Sequence, residues 1–209
     1  MSTKVAEAPA GEVSAKRQQI IEGARALFLA QGFDAASMGE IARASGVSKG
    51  TLYVYFDSKE CLFEAIVEDE RRAQAEQVFS LDSGDRDVAA VLTRLGEAYV
   101  RFLAQPAAIS PIRTVIAIAE RMPEIGRKFY EFGPQCGINR LGTYLEDQVA
   151  AGVLAIDDCE VAAAQFLDSC QSTILKPILF NAAGAPSEAR VKHCVGIAVR
   201  TFLSAYSAK

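Results

Sequence analysis

The segment from Ser37 to Phe56 constrains the fold of this chain more than any other part of the sequence. Ser37 is followed three residues later by Glu40, which is the capping-box spacing that begins a helix. Gly46 then predicts a tight turn, because glycine adopts the left-handed backbone conformation without the steric penalty of a Cβ. Ser48 can cap a second helix directly after the turn. The segment therefore predicts two short helices joined by a glycine-containing turn, which is helix-turn-helix geometry.

An ordinary hairpin of two helices in a bundle is the alternative, and the second helix argues against it. Gly50 lies inside that helix, where it costs about 0.5 to 1 kcal/mol relative to alanine, yet a surface that meets a DNA backbone benefits from the missing side chain. Leu52 and Phe56, four residues apart, take the inward face. The rest of the helix surface then belongs to Lys49, Thr51, Tyr53 and Tyr55. Two exposed tyrosines and a lysine are typical of a DNA-binding face.

Lys59 lies in the first turn of the next predicted helix, which Asp57 or Ser58 can cap. A positive charge at this end opposes the helix dipole and is mildly unfavourable. A phosphate would reverse that penalty, because free backbone N–H groups at a helix N-terminus and a lysine together form an anion site. We therefore predict that Lys59 clamps a DNA phosphate; the alternative is a solvated side chain.

Helical periodicity continues over most of the chain, and strand patterns are absent. Upstream of the motif, an apolar stripe of helical spacing ends at Gly32 and consists of Ile20, Ile21, Ala24, Leu27 and Phe28. Prolines and glycines divide the remainder into further helices, with Asp157 and Ser187 as the predicted start of the last two. We predict an all-α fold of about nine helices, in which a three-helix DNA-binding domain precedes a helical bundle for ligand binding and dimerisation.

The predicted domains are a flexible tail at residues 1–13, a helix-turn-helix domain at 14–60 and a ligand-binding and dimerisation domain at 61–209, with the fourth helix connecting the two domains. A net charge of −4 argues weakly against a nucleic-acid ligand. The distribution of charge softens that objection, because basic and acidic residues balance over residues 1–60. The excess negative charge therefore belongs to the second domain, away from DNA.

Composition and missing motifs exclude several classes of protein. Half of the residues are hydrophobic, which is enough for a core. No apolar run is long enough for a membrane span and the N-terminus has no signal-peptide pattern, so we expect a cytoplasmic protein without a membrane partner. The five cysteines lack zinc-site spacing and fit a packing role, and the lone His193 offers too few ligands, so we expect no metal and no cofactor. Without a P-loop, a nucleophile elbow or a dinucleotide-binding turn, we expect no enzyme.

Residues 16–63 resemble the DNA-binding domain of the tetracycline-repressor (TetR) family in a small-residue second helix, the run GVSKGTLYVYF and the following SKECL. The resemblance implies that the DNA contacts fall on Ser37, Arg43, Ser48, Lys49, Gly50, Thr51, Tyr53, Tyr55 and Lys59. Of these, Lys49, Thr51 and Tyr53 are the candidates for contact with base edges. Val54 occupies a position that is often aromatic or polar in relatives, which removes one hydrogen-bonding side chain.

The C-terminal region resembles the ligand domain of the AcrR/AefR-like subgroup, which includes repressors of efflux pumps, in Phe129–Pro134, Tyr144–Leu145 and Gly152–Leu154. Its middle helices carry more aromatic side chains than one helix face buries, as in a ligand cavity. A plain core has the same composition and remains the alternative. The predicted ligand-binding residues are Tyr99, Phe102, Phe129, Phe132 and Tyr144, with Arg113 and Glu120 as polar groups.

A homodimer is expected, because a single helix-turn-helix reads only a few base pairs and the last two long helices carry apolar faces. These helices would form a four-helix interface about a two-fold axis. The predicted interface residues are Phe166, Cys170, Ile174, Ile178, Val195, Val199, Phe202 and Tyr206.

The function that the resemblance implies is a ligand-responsive transcriptional regulator. It would bind a palindromic operator in double-stranded DNA as a homodimer and leave it when a small apolar or amphipathic effector binds. The alternative is an all-helical protein-interaction module without sequence-specific DNA binding. A steep salt dependence separates the two hypotheses, since only phosphate contacts release counterions.

Overall fold

The computed structural model describes residues 10–66 and 78–208, with side chains from residue 14 onward. The chain divides into two compact units at residue 69. Regular structure in the described ranges is helical apart from one isolated antiparallel bridge between Leu154 and Ser207. This confirms the all-α prediction. The predicted connection of the two domains by the fourth helix falls on residues 67–77, outside the described residues.

The N-terminal unit contains α1 (Ala10–Gln31), α2 (Met38–Ala44), α3 (Lys49–Tyr55) and the start of α4, which is described over residues 59–66. α1 begins within the segment predicted as a tail, so that prediction is wrong for residues 10–13, and the rest of the tail lies outside the described residues. Gly32 ends α1 with a φ of +84°, as its position after the apolar stripe predicts.

Three phenylalanines form the aromatic centre of this unit. Phe28 of α1, Phe33 of the following loop and Phe63 of α4 lie with ring centroids 5.2 to 5.8 Å apart in tilted and edge-on arrangements. All three side chains are buried. The left-handed residue Gly32 turns the chain directly after α1 and so allows Phe33 to fold back on Phe28.

α1 packs on the turn between α2 and α3 at very short range. A Cβ on Gly23 would lie 2.3 Å from the Oγ atom of Ser45 and 2.6 Å from its Cα atom. Ser45 is buried, and its hydroxyl donates to the Ile20 carbonyl oxygen at 3.3 Å. The Gln19 side chain donates from Nε2 to the Ser45 carbonyl oxygen at 2.7 Å. Gly46, with a φ of +64°, then completes the predicted left-handed turn. α1 therefore holds the turn through a contact that only glycine at position 23 permits.

The C-terminal unit contains the remaining helices. These are α5 (Val88–Leu103), α6 (Pro106–Ile118), α7 (Pro123–Tyr130), a π-helical turn (Glu131–Gln135), α8 (Cys136–Ala150), α9 (Cys159–Gln171), α10 (Leu175–Leu179) and α11 (Glu188–Tyr206). Two predicted helices are thus each split in two, by the π-helical turn and by the break after α9. Ser187 caps α11 as predicted, whereas Asp158, and not Asp157, caps α9.

α5, α9 and α11 form the centre of the second core. A Cβ on Gly96 of α5 would lie 2.8 Å from Val195 Cγ1 and 3.0 Å from Cys170 Sγ. The rings of Phe166 and Phe202 meet edge-on at 5.6 Å. Gly96 therefore lets three helices approach more closely than any side chain would allow, and this packing fixes α9 against its neighbours.

The loop before α5 is docked on α8 by two buried polar side chains. The Tyr144 hydroxyl donates to the Asp85 carbonyl oxygen at 3.0 Å, and burial raises the pKa of Tyr144 to about 12. Gln148, fully buried, donates to the Ser83 carbonyl oxygen at 3.2 Å and accepts from Arg86 at 3.0 Å. Tyr144 is therefore part of the core and not of a ligand site, which corrects the sequence prediction for this residue.

Gly23→Ala is expected to destabilise the protein by about 1 to 3 kcal/mol, because the new methyl group overlaps backbone atoms of Ser45 that α1 itself holds in place. Chemical denaturation followed by circular dichroism measures the change. Gly50→Ala is the matched control, since a Cβ there meets only Ser48 Oγ at 3.8 Å. A Gly23→Ala variant as stable as the Gly50→Ala variant would show that α1 can shift and that the contact is not required.

Candidate DNA-binding surface and ligand cavity

Serine residues cap both helices of the motif. Ser37 accepts from the Glu40 backbone N–H at 3.3 Å, and the Glu40 carboxylate accepts from the Ser37 backbone N–H at 3.0 Å, which completes the predicted capping box. Hydrogen bonds from Ser37 hold the pKa of Glu40 below its usual range. Ser48 accepts from the Thr51 backbone N–H at 3.0 Å, and its hydroxyl lies 2.8 Å from the Thr51 hydroxyl. The two serines therefore fix where α2 and α3 begin.

α3 presents a continuous outer face. Leu52 and Phe56 are buried as predicted. Tyr53 is half exposed and Val54 is 80% exposed, so an apolar side chain is largely exposed on this helix. The remaining predicted residues divide between exposed Ser37, Arg43, Ser48, Lys49 and Gly50 and half-buried Thr51 and Tyr55. The expectation of two exposed tyrosines is therefore met only by Tyr53.

Lys49 extends over the start of α2. A Cβ on Gly39 would lie 2.7 Å from Lys49 Cε and 3.0 Å from its Nζ atom, so glycine at position 39 leaves the path of the lysine open. Gly50, by contrast, borders open space. The structure thereby brings Ser37, Lys49 and the outer residues of α3 to one surface, which we call the α3 surface.

Lys59 has a different environment from the one predicted. Its ammonium group donates to the carbonyl oxygens of Phe33 at 2.9 Å, Asp34 at 3.2 Å and Ala36 at 3.3 Å. The same group lies 4.5 Å from the centroid of the Phe33 ring. Because an ammonium has three donors, these carbonyl groups occupy all of them. Lys59 therefore holds the loop between α1 and α2, and the reasoning that made it a phosphate clamp is corrected.

A cavity of about 360 Å³ lies within the C-terminal unit. Tyr99, Phe102 and Phe129 line it, as predicted. The other lining residues come from the segment before α5 and from α5 to α10: Val78, Phe79, Leu103, Ile112, Tyr130, Gly133, Pro134, Gly137, Ile138, Ala164, Leu167, Asp168, Gln171 and Leu175. The π-helical turn thus forms part of the wall. Its Pro134 has no N–H to donate, which accounts for the interruption of regular helical hydrogen bonding there.

The other predicted ligand residues lie elsewhere. Arg113 donates to the carbonyl oxygens of Leu179 at 3.0 Å and Ile178 at 2.5 Å, and so ties α6 to α10. Glu120 is exposed, and Phe132, although half-buried, does not line the cavity. Tyr144 belongs to the core. Three of the predicted ligand-binding residues, all aromatic, therefore line the cavity, and neither of the two predicted polar residues does. Contact of the three aromatic residues with a ligand stays a prediction.

The cavity is also lined by Asp168 and Gln171 of α9, two polar residues that were not predicted from the sequence. Gln171 donates from Nε2 to Asp168 Oδ1 at 2.8 Å. The sequence does contain a signal, since Leu167, Gln171 and Leu175 recur every four residues and the glutamine interrupts an otherwise apolar row. A polar residue in such a row indicates either a buried hydrogen-bond partner or a cavity.

The predicted dimer residues lie inside the protomer. Their side chains are at most 8% exposed, with the exception of half-buried Tyr206, and they are Phe166, Cys170, Ile174, Ile178, Val195, Val199 and Phe202. A side chain that its own chain buries leaves no surface for a partner, so this prediction is corrected. The outward positions of the same two helices include Val161 and Ile197, which are 47% and 43% exposed.

The cysteines and His193 belong to neither the α3 surface nor the cavity. All five cysteines are free thiols; Cys170 and Cys194 are buried, and burial raises the pKa of Cys170 to about 12. His193 is exposed. Over residues 10–66 and 78–208, no cluster of metal-ligating side chains occurs. Among the helices that the structure describes, none is long and apolar enough to cross a membrane.

Comparison with known proteins decides the family. Residues 20–66 match the model of the bacterial regulatory proteins of the tetR family, and residues 90–208, more than half of the chain, match the C-terminal domain of AefR-like transcriptional repressors. The chain belongs to the TetR family of bacterial transcriptional regulators. The predicted family and its AefR-like subgroup are thereby confirmed.

Individual relatives show how far the similarity extends. The flavonoid-responsive regulator FrrA is 32% identical with a TM-score of 0.78, over 94% of this chain and 99% of that protein. A putative TetR-family regulator from Mesorhizobium loti is 27% identical with a TM-score of 0.86, over 93% and 98%. The regulator UidR from Escherichia coli is 36% identical over 42% of this chain and 47% of its own length. The alignment with UidR thus spans about half of that relative.

Lys49 and Lys59 are expected to differ in a salt titration of DNA binding. Lys49→Gln should reduce the slope of log Kd against log salt by up to about one per protomer, because it removes a positive charge from the α3 surface that meets the DNA. Lys59→Met should leave the slope unchanged and lower the free energy of unfolding by about 1 to 3 kcal/mol, because it leaves loop carbonyl groups unpaired. A slope reduced by Lys59→Met as much as by Lys49→Gln would restore the phosphate role of Lys59.

Proposed function

We propose that this TetR-family chain is a repressor that binds a palindromic operator as a homodimer and releases it when a small molecule enters the cavity of the C-terminal unit. The observation that carries the DNA-binding part is the α3 surface, where capped helices present Lys49, Tyr53 and Val54 around an open Gly50. A recognition helix can enter a major groove only if one of its faces is exposed while the other is packed against the rest of the protein.

The DNA contacts that we propose are a revised set. Ser37, Arg43, Ser48, Lys49, Gly50, Thr51, Tyr53 and Tyr55 remain in it, and Lys59 leaves it because loop carbonyl groups take up its ammonium. The hydroxyl groups of Ser48 and Thr51 are hydrogen-bonded to each other. A hydroxyl can both donate and accept, so Thr51 could contact a base only through the role that this bond leaves unused. Lys49 and Tyr53 are therefore the principal candidates for contact with bases.

Dimerisation supplies the second half of the operator site. Two recognition helices would enter successive major grooves roughly 34 to 36 Å apart. Because the predicted interface residues are buried within the protomer, the surface that meets a partner is the outward face of α9 and α11, which includes Val161 and Ile197. Two-fold symmetry would place the same face of each chain in contact.

The cavity supports the effector part of the proposal. Its volume of about 360 Å³ and its mostly apolar lining are those of a site for a small organic molecule. A ligand can change operator binding only by as much as its affinity differs between the two conformations of the protein. FrrA, which matches almost the whole chain, is named as a flavonoid-responsive regulator and gives this part of the proposal its precedent.

Binding to duplexes from the region upstream of the chain's own gene is expected to be sequence-preferring and to weaken by about a thousandfold or more between 50 and 200 mM salt. Tyr53→Ala should weaken binding to the preferred duplex more than to a scrambled one. Lys176→Gln, which removes an exposed lysine of α10, is the control for loss of charge outside the α3 surface. Binding that is indifferent to salt and sequence would favour the protein-interaction alternative.

Ala164→Phe is expected to narrow the cavity, because Ala164 lines it and the phenyl ring would occupy space that a ligand needs. The uncharged fluorescent probe N-phenylnaphthylamine should bind the wild-type protein with an increase in emission. Its affinity for Ala164→Phe should be lower by about tenfold or more. Operator binding should be retained. Ala117→Phe on the exposed side of α6 is the matched control. Equal binding of the probe to all three proteins would show that the cavity takes no ligand.

A further inference from the structure

The polar end of the cavity is formed by two side chains in the last turn of α9. Asp168 and Gln171 are three residues apart and line the same wall. Gln171 Nε2 donates to Asp168 Oδ1 at 2.8 Å, so the nitrogen end of the amide faces Asp168. A reversed amide would set its oxygen against the carboxylate and repel it. The oxygen of Gln171 is therefore the amide atom that has no hydrogen-bond partner among the described residues.

Gln171 Oε1 lacks a hydrogen-bond partner among the described residues, and it is shut off from solvent. A buried acceptor without a donor is unfavourable and rare in native proteins, so its presence beside a cavity indicates a role. Gln171 lines the cavity, and the last torsion of a glutamine side chain is soft, so the oxygen can turn to meet a ligand there. A ligand that brings an O–H or N–H group would satisfy it.

Much of the remaining lining of the cavity is aromatic. Phe79, Tyr99, Phe102, Phe129 and Tyr130 contribute rings from three segments, namely the one before α5, α5 itself and α7. Gly137 allows Phe79 to approach closely, since a Cβ there would lie 2.6 Å from the Phe79 ring. Ring systems prefer stacked or edge-on contacts with other rings, so this part of the lining fits a planar aromatic ligand better than a flexible chain.

The charge of the lining residues further limits the class of ligand that the cavity can bind. Asp168 carries the one charge among the described lining residues, and that charge is negative. A carboxylate or phosphate ligand would therefore enter without a cationic partner and beside a like charge, which makes its desolvation unfavourable. Asp168 is itself exposed and already bonded to Gln171, so it selects only weakly for a cation.

We propose that the cavity selects an uncharged aromatic molecule bearing hydroxyl groups, and that Gln171, oriented by Asp168, accepts the hydrogen bond that distinguishes this ligand from its unhydroxylated analogue. The proposal rests on the proposed effector role of the cavity. It adds the chemical class of the effector and the residue that reads it.

The test compares the affinities of four probes for the full-length protein by titration calorimetry: a trihydroxyflavone, unsubstituted flavone, myristate and ethidium. The trihydroxyflavone should bind the wild-type protein about tenfold or more tightly than flavone, with myristate and ethidium weaker. Gln171→Leu should bring the two flavones within about threefold of each other while flavone binding is retained. Gln105→Leu, at an exposed glutamine without a side-chain cap hydrogen bond, is the matched control.

Each other outcome overturns a defined part of the inference. Equal affinity of the two flavones, or an equal loss of both in Gln171→Leu, overturns the role of Gln171 and leaves the cavity as an effector site. Tightest binding of myristate overturns the uncharged aromatic class. If ethidium binds most tightly and this binding is lost in Asp168→Asn, the negative charge of Asp168 selects the ligand, and the uncharged aromatic class is overturned as well. Binding of none of the probes, together with N-phenylnaphthylamine binding that Ala164→Phe does not change, overturns the effector role itself.

Discussion

The contact between Gly23 and Ser45 is the constraint on which the geometry of the DNA-binding unit depends. α3 has seven residues, too few to be stable as a separate helix, so packing must hold it in place. Leu52 and Phe56 provide that packing on one side, and α1 fixes the turn that precedes α3. The exposed residues of α3 therefore owe their positions to a helix that contributes none of the predicted DNA contacts.

Features whose physical cause is local in the chain could be predicted from the sequence. Capping serines, the left-handed Gly46 and the inward Leu52 each depend on neighbours within a few residues, and the structure confirms them. Lys59 shows the limit, because its partners are carbonyl groups more than twenty residues away in the chain. The dipole of a helix acts on residues of that helix and gives no information about carbonyl groups elsewhere in the chain. The polar partners of Lys59 can be found only once the loop between α1 and α2 has been placed.

Helical periodicity predicts which residues share a face, but not what covers that face. Phe166, Cys170 and Val195 do lie on apolar helix faces, yet α5 of the same chain covers these faces through Gly96. The same ambiguity separates Tyr99, which lines the cavity, from Tyr144, which lies in the core. The residues that line an apolar cavity and those that fill a core have the same composition. Only the arrangement of neighbouring helices distinguishes an interface from a core, or a core from a cavity.

α9 joins the cavity to this rigid core. One side of the helix carries Leu167 and Gln171 at the cavity, and the adjacent side carries Phe166 and Cys170 against α5 and α11. A Cβ on Gly96 would lie only 3.0 Å from Cys170 Sγ, so the helix has little room to move toward α5. Close-packed interiors respond to displacement by shifting whole elements and not by local compression. A ligand that rotates or displaces the last turn of α9 must therefore move its packing partners as well, and so changes more than the wall it touches.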